Sequence, residues 1–112
     1  MIKLWIDDIR PAPEGYFWCK SVNDAIIAIQ EAEHLEQQVY RYRQTALEGK
    51  YTIELIDLDY DAGDYGPPDY IKILDWLEQT GRNYPIRIHS QNPVGVQNMR
   101  RIIQRNGWEE IR

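Results

Sequence analysis

Apolar and polar positions follow two rhythms along this chain. Ile2, Leu4, Trp5 and Ile6 crowd into a run too short for a helix, which reads as a buried strand. Tyr16 to Cys19 reads as a second strand. Ser21 then suits a helix N-cap, with Asp24 three positions on in capping-box-like spacing. Val22, Ala25, Ile26 and Ile29 recur at helical spacing, and the pattern runs on through His34, Val39 and Tyr42 towards Gly49. Ile53 to Leu58 is the clearest strand. Gly63 and Gly66-Pro67-Pro68 mark a loop. Pro68 and Asp69 suit the first turn of a second helix, with Ile71, Leu74 and Leu77 on one face and Gly81 behind it. Pro85 to His89 reads as a short strand and Ser90 to Pro93 as a turn. Val94 to Arg105 is a third helix with Val96, Met99, Ile102 and Ile103 inward. Asn106-Gly107 ends it, and Trp108 to Ile111 reads as a last edge strand.

Strands that alternate with helices predict a parallel sheet with helices on both faces. Polar residues then converge. Asp7 and Asp8 follow the first strand, Asp57, Asp59 and Asp61 close the third, and His89 and Ser90 follow the fourth. In an open parallel sheet, ligands bind outside these carboxyl ends, where strand order reverses.

Composition narrows the classes. The 112 residues suffice for one domain, residues 1–112, with an ordinary globular balance of 43% hydrophobic and 28% charged residues. No apolar run approaches a membrane span or a signal peptide, so a cytoplasmic location is expected. A single cysteine rules out an internal disulfide and a Cys-based zinc site. The net charge of -5 argues against a general nucleic-acid binder. The charge is nevertheless uneven, with six Arg against two Glu from residue 82 onward. Arg100, Arg101 and Arg105 are either a solvated helix face or a basic stripe facing phosphate or a partner.

Clustered carboxylates can take up protons, pair with a cation such as Arg10, or share a hard divalent metal, of which Mg²⁺ is the best match. An EF-hand is excluded. Starting from Asp57, its sixth and twelfth positions are Ala62 and Pro68. Ser90, Asn92 and the following helix start can bind phosphate oxygens, as can the planar fork of Arg10. No Gly-x-Ser-x-Gly surrounds Ser90, which disfavours it as a nucleophile.

These residues resemble the acidic rim of response-regulator receiver domains, which hold Mg²⁺ and phosphorylate an Asp. The Lys that such domains carry at the last strand is missing, since that segment reads Glu109-Glu110-Ile111-Arg112. The chain is more similar to the receiver-like family named for cyclic-phosphate processing. Three motifs carry the likeness: Trp5-Ile6-Asp7-Asp8-Ile9-Arg10-Pro11-Ala12-Pro13, Leu58-Asp59-Tyr60-Asp61-Ala62-Gly63, and His89-Ser90-Gln91-Asn92-Pro93-Val94-Gly95. Tyr60 stands where the family has His.

The resemblance implies a three-layer, doubly wound α/β sandwich of flavodoxin or receiver type, with a mostly parallel five-stranded sheet. It also implies a metal-dependent phosphoesterase acting on a cyclic phosphate of a nucleotide or RNA end. On that reading Asp7, Asp8 and Asp59 hold Mg²⁺ (or Mn²⁺). Asp8, Asp59, Asp61 and His89 carry the chemistry, and Arg10, Ser90 and Asn92 bind substrate. The alternative is a non-enzymatic module that binds a phosphorylated ligand, or a protein partner through the helical stretch from Ala28 to Gly49.

Overall fold

The computed structural model describes residues 1–112. Four parallel strands, β1 (Ile2–Ile6), β2 (Tyr16–Cys19), β3 (Ile53–Leu58) and β4 (Ile86–Ile88), form one sheet in the order β2-β1-β3-β4. Three helices follow β2, β3 and β4 in turn: α1 (Val22–Arg41), α2 (Ile71–Gln79) and α3 (Pro93–Asn106).

The sheet has four strands, not the expected five. The segment after α3 meets β4 at a single bridge, Ile86 to Glu110, held by Ile86 N–H donating to Glu109 O and Ile111 N–H to Ile86 O. β4 is three residues long and offers little edge to pair with. Trp108 turns inward to the core instead.

Helix placement differs as well. Leu4, Ile6, Ile56, Leu58 and Ile86 join residues of all three helices in one core. Trp5, Tyr16, Trp18 and Leu55 lie outside it, and the register pairs Trp5 with Trp18 and with Asp57. They therefore belong to the opposite face. Every connection from β2 onward steps the same way across the sheet, and right-handed crossovers then put all three helices on one side. Only the step from β1 to β2 runs the other way, and there the loop of residues 7–15 takes the place of a helix. Trp5 Nε1 donates to Arg10 O at 2.9 Å and ties that loop to the face. The expected three-layer sandwich is thus two layers plus a strap.

Local signals set the helix ends. Ser21 Oγ accepts the Asp24 N–H at 3.0 Å and starts α1. Asn92 Oδ1 accepts the Gly95 N–H at 3.0 Å, with Pro93 at the first helical position, and starts α3. Gly107 ends α3 in the left-handed region at φ 67°, where a Cβ is disfavoured. α2 begins at Ile71, later than Pro68, because Asp69 turns its carboxylate back to the Ala62 N–H and closes the preceding loop. α1 is one helix ending at Arg41, and a separate 3-10 turn at Thr45–Leu47 follows.

Candidate functional site at the carboxyl ends of the strands

Strand order reverses between β1 and β3, and the rim there gathers the predicted residues. A cleft of about 370 Å³ is lined by Asp8, Arg10, Asp59, Asp61, Ser90 and Asn92, together with Ile9, Gly63 and Gln91. Six of the eight predicted site residues thus share one cleft. Asp7 and His89 lie behind it.

Asp7 is fully buried and its acceptor capacity is filled. Oδ1 takes the N–H of Ile9 at 2.9 Å and of Arg10 at 3.0 Å. Oδ2 faces Arg10 Nε at 3.0 Å and His89 Nε2 at 2.9 Å. Four donors meet a carboxylate with about four lone-pair sites. Burial alone would raise the Asp7 pKa. The N–H groups of Ile9 and Arg10, the His89 ring and the Arg10 charge outweigh it and hold the carboxyl below its ordinary value.

His89 is held from both ends. Its Nδ1 faces Asp57 Oδ1 at 2.7 Å while Nε2 faces Asp7 Oδ2 at 2.9 Å, so both ring nitrogens are engaged within the protein. The ring stacks on Trp5 with centroids 3.8 Å apart. His89 thus lies behind the cleft lining with a protein carboxylate at each ring nitrogen. Its partner Asp57, also buried, was absent from the predicted set. The alternation along β3 offered a signal, because it puts Asp57 on the face opposite Ile56 and Leu58.

Arg10 bridges the two strand ends. Its NH2 donates to Asp59 Oδ2 at 3.0 Å and its NH1 to His89 O at 3.2 Å. Burial disfavours the charged guanidinium, but Asp7 and Asp59 more than compensate and push its pKa up. Of the outcomes open to clustered carboxylates, pairing with Arg10 is the one formed by the chain itself.

Asp8 and Asp61 are left over. Both line the cleft, and neither carboxylate makes a hydrogen bond or ion pair with the protein, while Asp59 keeps part of its capacity after accepting from Arg10 and the Tyr60 N–H. One oxygen each from Asp7, Asp8 and Asp59 lie within 4.8 Å of one another, so the cluster can hold a divalent cation. The donor chemistry fits a hard ion. Asp8 and Asp59 have the lone pairs to ligate, and the saturated Asp7 backs them. Gly63, which the sequence reading did not place at the site, makes room: a Cβ there would collide with Asp8 Oδ2, and its φ of 55° lies in the left-handed region.

Ser90 Oγ accepts the Asn92 N–H at 3.1 Å, which leaves its own proton to donate. Asn92 spends its oxygen as the α3 cap and keeps its amide N–H groups. Tyr60 does not line the cleft. Its ring packs on Gly95, where any Cβ would meet the ring carbons. The exchange of His for Tyr is therefore accommodated by packing against α3. Tyr70, fully buried beneath this loop, donates its hydroxyl to Lys20 O at 2.6 Å, and burial, then the nearby carboxylates of Asp8, Asp7 and Asp59, raise its pKa.

The C-terminal arginines are mostly spoken for. Arg100 forks onto Glu110 and Arg105 onto Glu78, while Arg101 meets only Asn98. The stripe is closer to a paired helix face than to a phosphate track. At the end of α1, Val39 is buried whereas Tyr40 is 88% and Tyr42 61% exposed, and Val39 and Tyr40 line a groove with Thr45 and Glu48. No helix is long and apolar enough to cross a membrane.

A family profile described as the cyclic-phosphate processing receiver domain matches residues 2–105. The chain belongs to that family. No curated protein and no solved structure matches it.

Proposed function

We propose that this cyclic-phosphate processing receiver domain binds a cyclic phosphate of a nucleotide or RNA end in the rim cleft and opens the ring by hydrolysis. The observation that supports it most is the single cleft in which two unpaired carboxylates, Asp8 and Asp61, and the half-free Asp59 face Arg10, Ser90 and Asn92. Mg²⁺ or Mn²⁺ on Asp8 and Asp59 would neutralise phosphoryl charge and acidify a water when bound.

The chain's own groups do the remaining work. Arg10 uses three of its five N–H groups on Asp7, Asp59 and His89 O, and two remain for phosphate oxygens. The Ser90 hydroxyl and the Asn92 amide add neutral donors. Asp61, exposed and unpaired, accepts a proton from water as the water oxygen bonds to phosphorus. One ester P–O bond of the ring breaks, the departing sugar oxygen takes that proton, and a phosphomonoester results. Asp7, Asp57 and His89 fix the Arg10 fork and both strand ends, as positioning residues.

The engagement of both His89 nitrogens favours a second reading, a module that binds the phosphorylated ligand without turning it over. Phosphorus NMR on a 2′,3′-cyclic nucleotide with Mg²⁺ or Mn²⁺ separates the two. Ring opening by the wild type and none by Asp59→Asn is expected. Shifted but intact cyclic phosphate would establish the binding module, and no spectral change at all would sink both readings for this ligand.

A further inference from the structure

The acidic rim already contains a cation. Arg10 NH2 sits 3.0 Å from Asp59 Oδ2 and Nε 3.0 Å from Asp7 Oδ2, and the side chain, 42% exposed, lines the cleft. A divalent ion drawing on Asp8 and Asp59 would share the Asp59 carboxylate with this guanidinium, and two cations at one carboxylate repel. We propose that Arg10 and the divalent ion exclude one another at Asp59, so that ion binding releases NH2 from Asp59 and turns it to the anionic ligand.

This inference rests on the metal-ion reading above and adds its regulation. Arg10 is the rim's resident cation. It pairs Asp7 and Asp59 when no ligand is present, and at Asp59 it is exchanged, not joined, by the ion. The anchor at Asp7 survives the exchange, because Nε and the Arg10 backbone N–H stay bound there. With Nε as the pivot the planar guanidinium turns as one unit, so NH1 leaves His89 O as NH2 leaves Asp59, within a cleft that Ser90 and Asn92 also line. The coupling has a definite sign. The ion frees a phosphate donor, so ion and phosphate promote each other, and linkage makes the effect reciprocal. Gly63 lacks the Cβ that would collide with Asp8 Oδ2, and Asp8, unpaired by the protein, is open to the ion while Asp59 is still paired.

The test is free Mn²⁺, counted by electron paramagnetic resonance during titration of the full chain. Arg10→Gln removes the competing charge and is expected to bind Mn²⁺ about tenfold more tightly than the wild type, the cost of one charge-assisted hydrogen bond. Inorganic phosphate is expected to tighten Mn²⁺ binding to the wild type and to leave Arg10→Gln unchanged. Mn²⁺ bound by the wild type with equal or lower affinity in Arg10→Gln overturns the exclusion while the metal reading stands. Mn²⁺ bound by neither protein overturns both. Should Arg10→Gln fail to fold, Mg²⁺ titration of the wild type followed on the Arg10 side-chain N–H resonances decides. Signals that move support the exchange, and signals that stay fixed while Mg²⁺ binds refute it.

Discussion

Two charge clusters look alike in this sequence and differ in the fold. On α3, Arg100 and Arg105 each meet a carboxylate in a two-pronged ion pair, with Glu110 and Glu78, near the surface. At the strand ends, donors are spread unequally. Asp7 receives four while Asp8 and Asp61 receive none from the protein. The first arrangement is closed and offers a ligand little. The second divides into a buried foundation and an open set of acceptors, and only the open set has unspent capacity for a cation. Unspent hydrogen-bonding capacity, more than charge density, therefore separates a site from a decorated surface.

Breaking the foundation has the largest expected effect on stability. Asp7→Asn leaves Arg10 and His89 facing a neutral group and is expected to cost about 3 kcal/mol in urea unfolding, as for other broken buried pairs. A loss under about 1 kcal/mol would mean that Asp7 is not the anchor. Gly95→Ala drives a methyl into the Tyr60 ring and is expected to cost about 1–3 kcal/mol, with much of it restored in the double variant that also carries Tyr60→Ala. Additive losses would contradict the packing account of Tyr60. Asp8→Asn sharpens the contrast from the other side. It is expected to leave the urea midpoint within about 0.5 kcal/mol, as for an unpaired surface group, while weakening divalent-ion binding. On the closed helix face, Arg100→Ala is expected to cost less than about 1 kcal/mol and to leave ion binding unchanged.

The Arg100–Glu110 pair, and a second fork in which Arg82 donates to both oxygens of Glu33, set the acid limb of stability. Glu110 is held below its ordinary pKa by the Arg100 fork, against an opposing effect of burial. Glu33 is lowered first by Arg82, with Tyr84 assisting. Groups with depressed folded pKa values contribute stability that is complete above the unfolded carboxyl pKa of about 4.3 and is lost as pH falls through the folded value. Urea midpoints are therefore expected to fall below about pH 4, and Arg82→Gln is expected to flatten that slope. An unchanged slope would show that Glu33 is not a source of it.

Much of the fold was legible because its signals are local. Ser21, Asn92-Pro93 and Gly107 mark helix ends through their own backbone chemistry. The fifth strand was overread, since a run of suitable residues says nothing about how much partner edge exists at β4. Helices on both faces were overread too, because alternation of elements does not reveal which way each connection steps across the sheet. The rim was visible as carboxylates at strand ends. The spending of its lone pairs was not. His89 reaches Asp7 across 82 positions, and Arg10 reaches Asp59 across 49. No spacing rule sees pairings of that length. The same holds for Tyr60, whose place on Gly95 depends on where α3 starts in space.

Carbon NMR of the aspartate carboxyl groups during Mg²⁺ titration, with a 2′,3′-cyclic nucleotide present, tests the division of the rim most directly. The Asp8 and Asp59 carboxyl signals are expected to shift together with ion binding, while Asp7 and Asp57 stay where they are. A shift at Asp7 equal to that at Asp8, or signals at Asp8 and Asp59 that do not respond, would contradict the division into a saturated foundation and an open ligand set.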